Sequence, residues 1–128
     1  MKNNRPDSRP VFLNLLRIRQ PVTALTSIGH RISGVLLFLS IPVLIMLLDR
    51  SLSGPQGFAE VVAWGEAPLI KLILLLLVWA AVHHFFAGIR FLLLDVDLGI
   101  DLETARKTAK IVNMAGGIGV LIAVVVML

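Results

Sequence analysis

His83 and His84 stand side by side, with Arg90 six residues on, inside the otherwise apolar stretch LILLLLVWAAVHHFFAGIRFLLLD that runs from Leu72 to Asp95. An imidazole can ligate a metal, pass a proton or donate a hydrogen bond, and a guanidinium can hold an anion. Ionisable groups are costly in hydrocarbon, so a helix that carries them must face them into protein, bind something with them, or lead them to an interface. A second group lies upstream in TSIGHR, Thr26 to Arg31. Ser27 precedes Arg31 by four residues, which puts a hydroxyl and a guanidinium on one helical face, where both can donate to a carbonyl oxygen. A helix start capped by Thr26 and Ser27, with Arg31 as a topology-setting cation, accounts for the same residues without any ligand.

The elements that position these groups are membrane spans. Of 128 residues, 57% are hydrophobic, and the mean hydropathy is +0.90, well beyond a soluble domain's apolar share. Apolar runs at Ile32 to Leu48, Leu69 to Leu94 and Ile111 to Leu128 each approach or exceed the roughly 17 residues that cross the hydrocarbon. The expected fold is all-α: one domain over 1–128, with an N-terminal arm at 1–25 and three transmembrane helices at about 29–48, 68–94 and 108–128. The first apolar run starts too far into the chain for a cleavable signal peptide, so the arm is expected on the mature protein. SLSGPQGF reads as turn, with Gly54 and Pro55 breaking the first helix, and Asp101 to Lys110 begins the third span before the membrane.

Lys2, Arg5, Arg9, Arg17, Arg19 and Arg31 precede the first span, Arg50 is the one Lys or Arg between the first and second spans, and Arg106, Lys107 and Lys110 follow the second. Positive charge collects in the cytoplasm, which places the N-terminus inside and the C-terminus outside. The net charge of +4 is thus a topology signal, and no separate basic domain points to nucleic acid. Cysteine is absent, so thiolate chemistry and cysteine-held iron–sulfur clusters belong to other chains.

Adjacent on a helix, His83 and His84 point about 100° apart and cannot grip one metal together. One can turn to the bundle and the other to a neighbour. A bundle-facing imidazole serves either as a cross-helix hydrogen bond or as an axial ligand to haem iron. His84 lies ten residues before Leu94, about 15 Å from the inner end of the span, near mid-membrane. His30 is expected to sit shallower, and Met46 and Met114 fall at other depths as apolar filling, so a second axial ligand must come from another subunit. His30 and Arg31 suit the carboxylate edge of a porphyrin. Arg90 and Lys71, near opposite ends of the second span, are expected to snorkel. The AGGIG stretch, Ala115 to Gly119, is expected to pack helices closely; Trp64 suits an outer interface, and Trp79 suits packing or lipid contact.

RPVFLNLLRIRQPVTALTSIGHRISGV and HHFFAGIRFLLLD, with their paired S-x-x-H-R and H-x-x-x-G-I-R patterns, resemble the cytochrome b556 membrane-anchor subunits of bacterial succinate dehydrogenase. The resemblance covers the architecture of the whole chain, and its specific motifs about a third of it. It implies a three-helix subunit of the bacterial inner membrane that packs with a second small anchor subunit, shares one haem b with it, and docks an iron–sulfur subunit and a flavoprotein subunit on the cytoplasmic face. Electrons from succinate would pass to ubiquinone there. Residue by residue it implies His84 as the axial haem ligand, His30 and Arg31 at the haem propionates, Ser27 and Arg31 in the quinone site, and Asp95 in proton delivery to reduced quinone. Members often carry a histidine directly after GIR, where this chain has Phe91, so propionate contacts should be fewer; Gly88 would open space beside the ring. If haem were lost from His84, His83 is the expected substitute. The competing expectation is a non-enzymatic structural or assembly subunit without haem, its histidines engaged in helix contacts alone.

Overall fold

The computed structural model describes residues 18–127, so most of the expected arm, the leading part of its motif through Arg17, and Leu128 lie outside the described residues. Within them the chain is all-helical: α1 (Val22–Leu52), α2 (Pro55–Gly65), α3 (Pro68–Asp95) and α4 (Leu102–Met127). The helices α1, α3 and α4, of 31, 28 and 26 residues, are apolar and long enough to cross a membrane. At 1.5 Å per residue each exceeds the ~30 Å hydrocarbon core.

The start of α1 differs from expectation and moves the site. Pro21 precedes the helix, its carbonyl accepting from the amides of Ala24 and Leu25, so α1 begins seven residues before the expected span. Thr26 and Ser27 are therefore helix interior and not caps. The Thr26 hydroxyl bonds back to the carbonyl of Val22 at 3.0 Å, the i−4 pattern that lets threonine sit inside a helix. The break at Gly54 is as expected, with φ of 130° in a region that favours glycine, and Pro55 stands at the first helical position after it. Pro55 opens the additional helix α2, where the sequence reads as loop. Salt bridges at the surface flank this helix: Arg50 pairs with Glu60 at 2.6 Å, and Lys71 pairs with Glu66 at 2.7 Å.

At its other end α3 closes in a Schellman arrangement, the Leu98 amide reaching the Leu93 carbonyl and the Asp97 amide that of Leu94, with Asp97 at φ 60°. Asp101 then caps α4, its carboxylate accepting the Thr104 amide at 2.9 Å. This backbone hydrogen bond, with that of the Thr104 side chain, holds the Asp101 carboxyl below the usual carboxylate range.

Helices α1, α3 and α4 pack on one another as a bundle. Its apolar interior is small side chains, Ala80, Ala87, Ala109 and Val112, whereas large ones such as Phe38, Leu92 and Val126 face outward. Lipid is as apolar as leucine, so little is gained by burying large side chains, and close backbone approach decides the packing. AGGIG serves that approach: a Cβ on Gly119 would meet Val82 at 2.9 Å, and one on Gly116 would meet the Trp79 ring at 3.2 Å.

Candidate functional site

One lateral face of the bundle brings His84 and His30 together. Their rings stack with centroids 4.1 Å apart and planes within 12°, with Phe91 against His30 at 5.2 Å. The Nδ1 of His84 lies 3.1 Å from the carbonyl oxygen of His30 and 3.2 Å from the Ser33 hydroxyl, which itself donates to that carbonyl at 2.9 Å. A carbonyl only accepts, so this places the imidazole proton on Nδ1 and leaves the lone pair on Nε2. Space on this face is set by small residues. A Cβ on Gly34 would stand 3.0 Å from Cε1 of His84, and one on Gly88 would stand 3.7 Å from Nε2 of His30. His84 and His30 are each only partly covered by the chain itself.

His83 points into the seam between α1 and α4. It is 3% exposed, its Nε2 is 3.4 Å from the Thr26 carbonyl, and its buried Nδ1 has no partner. Trp79 stacks on the ring at 5.2 Å. A Cβ on Gly29 would meet Nε2 at 2.7 Å, and one on Gly116 would meet the His83 Cβ at 3.5 Å. Below it, the Thr26 hydroxyl, whose proton goes to Val22, lies 3.1 Å from the Asn113 side-chain amide and 3.3 Å from the Ala109 carbonyl at the seam of α1 and α4. Arg90, 6% exposed, faces α4, with Nε donating to the Thr108 hydroxyl at 3.1 Å and Nη2 to the Ala105 carbonyl at 3.2 Å.

Several expectations change. His30 is not shallower than His84: because α1 starts at Val22, His30 lies two turns into the helix and its ring meets that of His84. His83 is enclosed in the bundle, so His30 and not His83 is the imidazole beside His84. Arg90 does not snorkel; it turns inward onto α4, while Lys71 reaches Glu66 at the surface. Ser27 and Arg31 lie one turn apart on α1, Ser27 half-buried and Arg31 exposed, and Asp95 is exposed as the last residue of α3. Among the described residues no hydrogen bond or ion pair links Asp95 to either.

Ser33, Gly34, Asn113 and Thr108 were not anticipated. The signal for Ser33 was present: Thr26, His30 and Ser33 recur at offsets of four and seven, one polar stripe along α1. Asn113 and Thr108 gave no comparable pattern: Asn113 stands alone in an apolar stretch, Thr108 lies in the polar start of α4, and each meets its partner on another helix. Among the described residues no cluster of three or more metal-ligating side chains is present.

A multi-pass, all-helical membrane subunit with two stacked imidazoles, His84 and His30, on one lateral face is the class that the fold and the site define. A family profile described as the succinate dehydrogenase/fumarate reductase transmembrane subunit matches residues 5–126, and the chain belongs to this family. It is 34% identical over 121 residues to the succinate dehydrogenase cytochrome b556 subunit of Coxiella burnetii, covering 90% of this chain and 93% of that one. To the subunit of the same name from Paracoccus denitrificans it is 32% identical over 104 residues, covering 80% of this chain and 79% of that one.

Proposed function

We propose that this chain is a cytochrome b anchor subunit of succinate dehydrogenase, with His84 as one axial ligand of a haem b shared with a second small anchor subunit. The observation that carries this is the polarised imidazole of His84. Its Nδ1 is held by the His30 carbonyl and Ser33, the outer-shell arrangement usual for a ligating histidine, and Nε2 is left with its lone pair. Gly34 and Gly88 leave the flanks of the two rings free of side chains, which gives a flat group room. His83 lacks this character, since its ring is enclosed by Gly29, Gly116 and Trp79. When bound, haem supplies one-electron carriage between the subunits' redox centres.

Ser27 and Arg31 form this chain's part of the quinone site. As quinone takes two electrons, negative charge grows on its carbonyl oxygens, and the hydroxyl and guanidinium donate to that charge. Two protons complete the quinol, with Asp95 at the inner end of α3 passing them from water. The electrons come from succinate, oxidised to fumarate at the flavoprotein and relayed by the iron–sulfur subunit, both on the cytoplasmic side. The N-terminus is cytoplasmic and the C-terminus periplasmic. His30 and Arg31 serve the haem propionates, with Phe91 supplying an apolar wall where a further donor would stand.

Two measurements test this. The dithionite-reduced minus oxidised spectrum of the purified complex should carry a haem b α band, and its absence would leave His84 as a cross-helix hydrogen bond in a haem-free subunit. A reporter active only outside the cytoplasm should work when fused after Leu128, and one active only inside should work when inserted at Gly99; the reverse pattern would separate Ser27 and Arg31 from any cytoplasmic donor.

A further inference from the structure

Arg90 is only 6% exposed, at the end of the membrane where α3 finishes and α4 begins, and among the described residues no carboxylate pairs with it. Its Nε and Nη2 donate only to a hydroxyl and a carbonyl, and its Nη1 has no acceptor among them. The Phe91 ring, 5.4 Å from Cζ, does not neutralise the charge. The same side chain lines a groove of about 170 Å³ between α3 and α4, walled by Ile89, Leu93, Leu94, Ile111 and Val112, with no carboxylate among its lining residues. A volume near 150 Å³ already accommodates a benzene-sized apolar ligand, so the groove has room for the upper part of an acyl chain.

We propose that this groove is a site for one anionic phospholipid, its phosphate on Arg90 and one acyl chain between α3 and α4. Depth agrees: Arg90 is five residues from the end of α3, about 7.5 Å at 1.5 Å per residue, which is the level of the headgroup boundary. Lys107 lies on the same face of α4 as the groove-lining Ile111, one turn nearer the surface. Its pairing with Glu103 is between two exposed side chains and is readily exchanged for a phosphate. Basic pockets between transmembrane helices on the cytoplasmic side recur as sites for anionic headgroups. The occupant is a lipid and not the second anchor subunit because of the face involved. Phe86, Ile89 and Leu93 follow His84 by two, five and nine residues, which is about 200°, 140° and 180° around α3 at 100° per residue. The groove therefore opens on the side of α3 away from His84, where that partner is placed.

Native mass spectrometry of the intact complex, stripped with excess detergent and then offered phosphatidylglycerol or phosphatidylcholine, reads this directly. The unaltered complex should rebind one phosphatidylglycerol per copy of this chain, in at least threefold preference to phosphatidylcholine. Arg90→Gln should abolish the preference. Ile111→Trp, which fills the groove and leaves the bonds of Arg90 in place, should reduce total lipid retention at least threefold. Asn113→Ala, which removes a polar contact between α1 and α4 away from the groove, should retain lipid as the unaltered complex does. If Arg90→Gln prevents assembly, Ile111→Trp decides alone. Unchanged rebinding in the variants that assemble would overturn the site. So would equal loss in Asn113→Ala, which would make lipid loss a consequence of a loosened bundle, or displacement of the lipid by millimolar inorganic phosphate, which would make the groove a bare anion site.

Discussion

On one face of α3, His83 is sealed among Gly29, Gly116 and Trp79, with one ring nitrogen on a long contact to the Thr26 carbonyl and the other unpartnered. On the next face, His84 is half-covered, with its Nδ1 held by a carbonyl and a hydroxyl of α1. The same residue type, one position apart, is packing in the first case and a candidate ligand in the second. What separates them is which helix each imidazole meets: the seam shared with α4 closes over small residues, and the face toward α1 stays open beyond His30. Adjacent histidines in a span are therefore distinguished by the register of the neighbouring helices.

The largest effect short of haem loss belongs to the open face. Ser27→Ala and Arg31→Leu should each slow succinate-dependent quinone reduction at least tenfold, on the order of 1.4 kcal/mol in the barrier. Succinate oxidation with an artificial acceptor at the flavoprotein should stay normal. Equal loss of both activities would mean failed assembly, and normal quinone reduction would remove both residues from the site.

Two alanine substitutions sharpen the contrast between the faces. In Gly29→Ala the new Cβ meets Nε2 of His83 at 2.7 Å, and that ring is hemmed in by Trp79 and Gly116, so overpacking should cost about 1–3 kcal/mol. The complex should melt lower with its haem spectrum unchanged. In Gly34→Ala the contact is to Cε1 of His84 at 3.0 Å, on a ring with open space beside it; the haem bands should shift while stability hardly moves. A spectral shift in Gly29→Ala alone would reverse the assignment of the two faces.

The smallest effect is at the surface. The Asp101 carboxyl is held below its usual range by the Thr104 amide, so its cap stabilises α4 at pH above the unfolded carboxylate value and is lost as pH falls through the depressed one. Asp101→Ala should speed hydrogen exchange at the Thr104 amide near neutral pH, and the difference from the unaltered chain should vanish well below about pH 4. A difference that persists in acid would assign the protection to something other than the ionised carboxylate.

Composition and three apolar runs made the three long helices legible, and the small residues of AGGIG foretold close packing. The ends were less legible. Thr26 and Ser27 look like caps in isolation, but the helix starts at Val22, and Thr26 bonds back to its carbonyl and across to Asn113, which carries His30 down to the level of His84. Helix α2 hid behind a glycine and a proline that end one helix and start another. For the site, residue types and spacing indicated His30, Arg31 and His84, while Ser33 becomes informative only once α3 is seen to cross it. Arg90 misled because a cation near the end of a span is expected to reach outward, and only the packed position of Thr108 and Ala105 turns it inward.

The central claim is that His84 and not His83 is the haem ligand of this chain, and reduced-minus-oxidised spectra of the assembled complexes carrying His84→Phe and His83→Phe test it most directly. His84→Phe should abolish the haem b α band, or shift it through ligation by the stacked His30, so that the band vanishes when His30→Ala is added. His83→Phe should keep the band unaltered. Its stability should fall by about 1–3 kcal/mol, since the larger phenyl ring overpacks a site already closed by Gly29, Gly116 and Trp79. An unaltered band in His84→Phe, or loss of the band in a fully assembled His83→Phe complex, would contradict the account.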